Sequence, residues 1–136
     1  MSILEVIDEY VRRSTSAVFR LRSMTGQNDL MAAWRNGYLD RVGKIDSLSY
    51  EFHGSGVYIE DESFGIEIDF SLGSEPGGFD SWRLWQMIKS EPDVFKGFLN
   101  HADVSAALAG LLKSGAIESL GDSGLFTLAK AVRRND

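Results

Sequence analysis

The spacing of apolar residues over the first 36 positions follows the period of an α-helix. In residues 3–22 apolar side chains recur every three or four positions, as they do along one side of a helix. These positions are Leu4, Ile7, Val11, Val18 and Leu21. Gly26 ends the segment, and Asp29 is placed to cap a second, short helix that Asn36-Gly37 would close. The pattern therefore predicts two N-terminal helices.

Between residues 48 and 70 the pattern changes to strict alternation of apolar and polar side chains. The apolar members are Leu48, Tyr50, Phe52, Val57, Ile59, Ile66, Ile68 and Phe70. Alternation over short segments is typical of strands with one buried face and one solvent-exposed face. We expect three antiparallel strands in this part of the chain.

The strand register can be predicted from the first turn. A two-residue turn at Gly54-Ser55 places Phe52 opposite Val57, with both side chains on the buried face. A second turn, after the middle strand, then places Tyr58 opposite Glu67 on the polar face.

Helical signals return after a glycine-rich connection. Asp80 is expected to cap a helix that ends before Pro92, because the residue before a proline disfavours helical geometry. A further helix is expected over residues 94–99, and another from a cap at Asp103 to Gly115.

The last part of the chain has the pattern of a hairpin. Residues 116–120 and 125–129 flank the turn sequence Gly121-Asp122-Ser123-Gly124. The expected fold class is therefore α+β, with N-terminal helices, a three-stranded antiparallel sheet and C-terminal helices with a small β-hairpin. A chain of 136 residues fits one domain, so we expect a single α+β domain over residues 1–136.

Acidic residues are in excess and are concentrated in the middle of the chain. The net charge is -6, and residues 40–93 alone hold 12 acidic and 4 basic residues. This excess argues against nucleic-acid binding, whose affinity comes largely from neutralised phosphates. It favours instead a partner with a basic surface.

The composition also bears on the compartment and on bound groups. Cysteine is absent, which excludes disulfides and thiolate metal sites. The first ten residues lack the pattern of a secretory leader, and no apolar run reaches the length of a membrane span. We therefore expect a cytoplasmic protein with no cofactor and no membrane partner.

Candidate chemistry is sparse. His53 and His101 are the only histidines, and His53 with Glu67 and Asp69 would form at most an adventitious cation site. The segments at residues 53–56 and 121–124 resemble parts of serine hydrolase sites, but the other members of those sites are missing. We expect no catalytic residue and no metal site.

The polar face of the predicted sheet and its turns provide the candidate binding residues. They are Glu51, Tyr58, Glu60, Asp61, Glu62, Glu67 and Asp69. Changing Glu60, Asp61 and Glu62 to Lys is expected to slow association with a basic partner.

Two aromatic residues and one arginine near residue 83 have expected places in the fold. Trp82 and Trp85 are three positions apart, so one helix face can hold both against the core, which is the favoured interpretation. The alternative is that one of them anchors a partner, and the sequence leaves open which of the two does so. Arg83 is expected to pair with Glu67 or Asp69.

Three short motifs carry a family resemblance. They are His53-Gly54-Ser55-Gly56, Ile68-Asp69-Phe70 and Gly78-Phe79-Asp80-Ser81-Trp82-Arg83-Leu84. In these the chain resembles an uncharacterised family of small bacterial domains with an H-G-x-G turn, a strand ending in D-F, and the motif G-F-D-x-W-R-L. Families of this type look like immunity proteins encoded beside secreted polymorphic toxins. The resemblance implies a cognate protein toxin as the partner and implies no catalytic residue.

The sequence leaves three functions open. The favoured one is an immunity-type protein that binds and occludes a toxin through an acidic surface. The C-terminal helix and hairpin have the outline of a winged helix, so a DNA-binding regulator is the alternative, although few base-reading side chains are present. A small hydrolase using His53 and Asp69 is a third, and the oligomeric state is left open.

Overall fold

Helices and antiparallel strands both contribute to the fold, which is α+β as predicted. The structure, a computed structural model, describes residues 1–61, 64–70, 78–121 and 124–129. The helices are α1 (Ile3–Thr25), α2 (Leu30–Arg35), α3 (Ser81–Ser90) and α4 (His101–Ser114). The strands are β1 (Val42–Ile45), β2 (Leu48–His53), β3 (Gly56–Asp61), β4 (Phe64–Asp69), β5 (Ile117–Ser119) and β6 (Phe126–Leu128). Among the helices of these ranges, none is long and apolar enough to cross a membrane.

The middle of the chain forms an antiparallel sheet with the strand order β1-β2-β3-β4. Phe52 lies opposite Val57 and Tyr58 lies opposite Glu67, so the predicted registers are confirmed. The turn between β2 and β3 begins at Gly54, whose φ of 50° is unfavourable for residues with a Cβ atom. The turn glycine thus fixes which side chains share a face.

The sheet has four strands, so the prediction of three is wrong. The additional strand, β1, pairs with β2 at the edge of the sheet and places Gly43 opposite Tyr50. A Cβ atom at residue 43 would collide with the Tyr50 hydroxyl, so the tyrosine side chain occupies the space beside the glycine. Only one of the two inward positions of β1, Ile45, carries an apolar side chain. The alternation that identifies a strand is therefore missing from its sequence.

Residues 11–76 belong to one compact unit, which contains the sheet. The apolar face of the sheet is buried, with Leu48, Phe52 and Val57 fully inaccessible to solvent. Trp34 of α2 stacks on Phe52 with ring centroids 5.3 Å apart and planes inclined by 13°. This contact places α2 against the apolar face of the sheet.

Residues 1–10 and 77–136 belong to a second compact unit. It contains α3, α4 and the predicted hairpin, whose strands β5 and β6 place Ile117 opposite Leu128. Phe79 exchanges two backbone hydrogen bonds with Phe126, at 3.0 and 2.7 Å, and extends this small sheet by one residue. Asp122 and Ser123 of the predicted turn lie outside the described residues. The last helix among the described residues ends at Ser114, so the described helices lie in the N-terminal and middle parts of the chain and not at its C-terminal end as expected.

Helix α1 begins with a reciprocal pair of hydrogen bonds that the sequence motif S-x-x-E signals. The Ser2 hydroxyl accepts from the Glu5 backbone N–H at 3.2 Å, and the Glu5 carboxylate accepts from the Ser2 N–H at 3.1 Å. The hydrogen bond from the Ser2 backbone, followed by that with the Ser2 side chain, lowers the pKa of Glu5. These bonds satisfy N–H groups that have no partner within the helix.

Asp29 and Asp80 cap α2 and α3 as predicted, but the cap of α4 differs. Asn100, and not Asp103, is the N-cap, and its side chain accepts from the Asp103 N–H at 3.0 Å. The Asp103 carboxylate reaches back to the Leu99 N–H at 2.8 Å. The predicted cap at Asp103 is wrong: Asn100 takes the N-cap position, and Asp103 lies in the first turn of the helix.

The helix predicted over residues 94–99 is not formed. After Pro92 there is a single turn, in which the Glu91 carbonyl accepts from the N–H groups of Val94 and Phe95 at 3.0 and 3.1 Å. Gly97 has a φ of 103°, which lies outside the right-handed helical region. The apolar residues of this segment are therefore presented on a turn.

Candidate functional site

The polar face of β2, β3 and β4 carries acidic side chains around one tyrosine. Tyr58 lies directly opposite Glu51 in β2 and Glu67 in β4. Its hydroxyl donates to Glu60 Oε2 at 3.2 Å. We call the following residues the acidic sheet face: Glu51, Tyr58, Glu60, Glu67 and Asp69. Glu51, Glu60 and Asp69 are exposed, Glu67 is half-buried, and Tyr58 is 38% exposed.

Two glycines shape the acidic sheet face. A Cβ atom at Gly65 would collide with the Tyr58 hydroxyl, so the tyrosine side chain lies across this position. A Cβ atom at Gly56 would collide with the Ile68 carbonyl oxygen of the neighbouring strand. Gly56 also lies between His53 and Asp69 in the register, so no side chain separates them there. Because Gly56 and Gly65 have no side chains, neighbouring long side chains such as Tyr58 have room to extend across the strands.

Three carboxylates of the face have contacts with polar or basic side chains from the same part of the chain. Arg41 Nη1 lies 3.4 Å from Glu51 Oε1, and His53 Nε2 contacts Glu67 Oε1. The Ser55 hydroxyl donates to Asp69 Oδ1 at 2.9 Å. An ionised carboxylate has about four lone-pair positions, so Glu51 and Glu67 remain able to accept further hydrogen bonds.

The environment of Tyr58 raises the pKa of its phenol. Burial is the largest cause, followed by the charge of Glu60, its hydrogen bond with the phenol and the charge of Glu67. Each of these disfavours the phenolate. Tyr58 therefore keeps its proton near neutral pH and offers a neutral hydroxyl in the middle of an anionic surface.

Two predicted contact residues are not part of this face. Asp61 lies opposite Leu48, so it has the position of the buried side of the sheet. Its carboxylate accepts from Arg20 Nη1 at 2.7 Å and from the Ser47 hydroxyl at 2.6 Å. Glu62 lies outside the described residues. The structure thus brings together five of the seven predicted residues.

The predicted cation set of His53, Glu67 and Asp69 is not assembled as a metal site. His53 contacts Glu67, whereas Asp69 accepts from Ser55. Over residues 1–61, 64–70, 78–121 and 124–129, no group of three or more His, Asp and Glu side chains is placed to hold a metal ion. The hydrolase alternative, which rests on His53 and Asp69, stays a prediction.

The motif at residues 78–84 connects the C-terminal hairpin to α3. Asp80 accepts from the Arg83 backbone N–H and from Arg83 Nη1, both at 2.8 Å. Arg83 is therefore held by the residue that caps its own helix, and its expected pairing with Glu67 or Asp69 stays a prediction. Phe79 and Leu84 are fully buried. Most of the motif thus supports the local fold.

Trp82 is the exception in this motif, since 56% of it is exposed. The prediction of core packing is wrong for Trp82, while Trp85 is half-buried. The Trp82 ring makes an edge contact with His101 at a centroid distance of 5.5 Å, and Lys89 Nζ lies 5.7 Å from its centroid. The seven-residue spacing of Trp82 and Lys89, two helical turns, is the sequence signal that could have identified this surface.

His101 also takes part in a polar contact that no pattern in the sequence indicates. Its Nε2 atom lies 2.8 Å from the Ser81 hydroxyl, which joins the first turns of α3 and α4. A serine nucleophile would need a carboxylate to orient this imidazole. Within the described ranges no carboxylate contacts His101, and the pair serves to connect two helix starts.

Small residues occupy much of the exposed side of α4, which bears on the DNA-binding alternative. The exposed positions include Ala102, Ala106, Ala109 and Gly110. Such side chains cannot donate or accept hydrogen bonds with base edges. The winged-helix interpretation therefore stays a prediction without support from this surface.

The family comparison covers almost the whole chain. Residues 3–128 match the model of a family described as Domain of unknown function (DUF6896). Neither the comparison with curated proteins nor the comparison with solved structures gave a match. The matched range includes the acidic sheet face and the motif at residues 78–84. The chain therefore belongs to the family Domain of unknown function (DUF6896).

Proposed function

We propose that this protein is an immunity-type protein that binds a cognate toxin domain through its acidic sheet face and covers a basic surface of that toxin. The observation that carries the proposal is the exposure of three carboxylates around Tyr58 on adjacent strands. A nuclease is one toxin class with a suitable surface, because its phosphate-binding site is basic.

The charge of the face suits it to rapid recognition of a basic partner. Complementary charge can raise association rates from about 10⁵–10⁶ M⁻¹s⁻¹ to about 10⁸–10⁹ M⁻¹s⁻¹ at low salt. An immunity protein has to reach its toxin before the toxin reaches its target. Electrostatic steering provides this advantage without requiring an enzymatic site.

The contacts already present on the face are weak enough to be exchanged for contacts with a partner. The Arg41–Glu51 pair has side chains that are 59% and 53% exposed and a separation of 3.4 Å. Ion pairs with this exposure contribute about 0–1 kcal/mol. A basic group of the toxin can therefore replace Arg41 at Glu51 with little loss of stability in the immunity protein.

Tyr58 suits the centre of a contact surface. Tyrosine is one of the residues that dominate binding energy at protein interfaces, because it combines a large apolar area with a polar end. The ring lies across Gly65, and the hydroxyl is held by Glu60, so little conformational freedom remains to be lost on binding.

The test uses the neighbouring upstream gene, which the proposal requires to encode a protein ending in a toxin domain. That domain, produced alone in host cells, should arrest growth, and co-production of this protein should restore growth. Protection should be lost with the variant Glu51→Lys/Glu60→Lys. Asp61→Lys is left out of the variant because Asp61 is engaged with Arg20.

The matched control is Asp93→Lys/Glu118→Lys, which changes the charge by the same amount at two exposed residues outside the four-stranded sheet. It should protect as well as the wild type. A neighbouring domain without toxicity would contradict the proposed function. Full protection by the Glu51→Lys/Glu60→Lys variant would contradict the role of the acidic sheet face.

A further inference from the structure

Helix α3 and the turn that follows it form an apolar cleft of about 430 Å³. Aromatic side chains of Trp85, Phe95 and Phe98 contribute to its lining, together with Leu99. Phe95 is buried, so part of the cleft wall is fixed by the core of this unit. The volume falls within the range of about 300–1,000 Å³ that is usual for binding clefts.

The surroundings of the cleft expose apolar side chains that have no evident use in an isolated protein. Leu99 lines the cleft and is 88% exposed, and Trp82, on the same helix as Trp85, is also largely exposed. Removing apolar surface from water is favourable, so covering these side chains would favour binding. Contiguous exposed apolar residues commonly mark sites of protein interaction.

The charge of the cleft is opposite to that of the chain as a whole. Lys89 and Lys96 are its charged lining residues, and no carboxylate belongs to the lining. Neither lysine forms an ion pair with a residue in the described part of the chain. Lys89 instead lies over the Trp82 ring, and its ammonium group can still pair with the carboxylate of a partner.

The exposed position of these residues follows from the turn that replaces the predicted helix over residues 94–99. Gly97 takes a φ of 103°, and this turns the chain between Lys96 and Phe98. A Cβ atom at Gly97 would have the Met1 carbonyl as its nearest neighbour, at 3.7 Å. The backbone conformation, rather than lack of space, is therefore what requires glycine here.

We propose that this cleft binds a peptide segment of another protein. The segment places one aromatic or leucine side chain in the cleft and carries a carboxylate within about two residues of it, which pairs with Lys89 or Lys96. A small organic acid would satisfy the lysines but would leave Leu99 largely exposed, whereas a peptide backbone crossing the cleft covers this lining residue. The inference does not rest on the proposed function, because that function requires a basic partner at a different surface.

The test is selection of random 12-residue peptides displayed on phage against the immobilised full-length protein. Enriched peptides should share an aromatic or leucine residue next to Asp or Glu. Synthetic copies should bind the wild type and should lose about tenfold or more in affinity with Lys89→Glu/Lys96→Glu and with Leu99→Ser.

The matched controls are Lys113→Glu, an exposed lysine of α4, and Val94→Ser, an exposed apolar residue of the same turn that does not line the cleft. Both should bind the peptides as the wild type does, and all variants should keep the wild-type circular dichroism spectrum. Enrichment of peptides without an acidic residue, or equal loss in cleft and control variants, would overturn the proposal. Binding of octanoate at the cleft without binding of any peptide would overturn it in favour of a small organic acid.

Discussion

Tyr58 determines much of the local chemistry of the acidic sheet face. Its side chain lies across Gly65, its hydroxyl donates to Glu60, and its two register neighbours are carboxylates. The same arrangement that orients the hydroxyl also opposes its ionisation. The state of this one phenol is therefore a measure of whether the carboxylates are placed as described.

We predict that Glu60→Gln lowers the pKa of Tyr58 towards the ordinary value for tyrosine. The substitution removes a negative charge and an ionised hydrogen-bond acceptor, both of which raise this pKa. The measurement is a spectrophotometric titration of phenolate absorbance, with Tyr58→Phe used to assign the transition. Glu51→Gln is the control, since Glu51 lies opposite Tyr58 but is not among the causes of the shift. An equal effect of both substitutions would contradict the described contact.

Tyr50 and Tyr58 should make the fold sensitive to alkaline pH. Both have a raised pKa in the folded state, Tyr50 mainly through burial and then through the charge of Asp40. In the unfolded chain tyrosine ionises near pH 10. The folded state therefore holds more protons above that pH, and the free energy of unfolding should decrease as pH rises past about 10.

The measurement is urea unfolding at a series of pH values between 8 and 11. The decrease in the free energy of unfolding should be smaller in Tyr58→Phe, because this variant lacks one of the two tyrosines whose pKa is raised. A free energy of unfolding that is constant or rises above pH 10 would show that these phenols are not held in their neutral form.

Strand β3 approaches β4 so closely at Gly56 that the glycine determines how the two elements pair. A Cβ atom there would meet the Ile68 carbonyl oxygen, which is backbone and cannot move without disturbing the strand. Helix α4 presents the opposite case at Gly110, where a Cβ atom would have no neighbour within 4 Å. The two glycines therefore predict opposite results for the same substitution.

We predict that Gly56→Ala destabilises the protein by about 1–3 kcal/mol, the usual cost of inserting atoms where there is no space. Gly110→Ala should stabilise it by about 0.5–1 kcal/mol, because alanine loses less backbone entropy in a helix. Chemical unfolding of both variants beside the wild type provides the measurement. A stabilising Gly56→Ala would show that β3 and β4 are not as close as described.

The ion pair between Arg20 and Asp61 joins α1 to the end of β3. Its atoms are 2.7 Å apart, and its side chains are 33% and 32% exposed. A double-mutant cycle with Arg20→Ala and Asp61→Ala should give a coupling of about 0.5–1 kcal/mol. The control cycle, with Arg41→Ala and Glu51→Ala, should give a smaller coupling because that pair is longer and more exposed. The reverse order would contradict the interpretation of Asp61 as a structural residue.

The sequence predicts those elements that are formed by interactions between residues close together along the chain. Asp29 and Asp80 cap helices through side chains that reach only three residues ahead. The β2–β3 register follows from one glycine turn and the alternation beside it. Strand β1 is not evident from the sequence, because glycine stands at one of its two inward positions and the contact with Tyr50 that requires this glycine is not revealed by sequence spacing.

The sequence predicts only that part of the candidate site which follows from the alternation of side chains along the strands. Alternation correctly groups Glu51, Tyr58 and Glu67. Asp61 has the opposite parity from Glu60, so its charge alone does not place it on the same face. Its attraction to Arg20, 41 residues away, depends on the folded chain. The three-residue spacing of Trp82 and Trp85 indicates a shared helix side but not which side is buried, so the exposure of Trp82 does not follow from it.

Over the whole molecule, the net charge of -6 conceals two surfaces of opposite character. The acidic sheet face suits a basic partner, while the cleft with Lys89 and Lys96 suits an acidic one. The binding of a basic partner should therefore change with salt concentration and with substitution of the sheet carboxylates, but not with substitution of these lysines. This separation allows the two proposals to be tested independently.

The most direct test of the central claim is the association rate constant with the toxin domain from the neighbouring gene, measured at about 50 and 500 mM salt. For Glu51→Lys/Glu60→Lys the rate should fall by about tenfold or more at low salt, and the difference from the wild type should shrink at high salt. Asp93→Lys/Glu118→Lys should associate at close to the wild-type rate. Equal association rates for the two variants at low salt would contradict the assignment of the acidic sheet face as the toxin-binding surface.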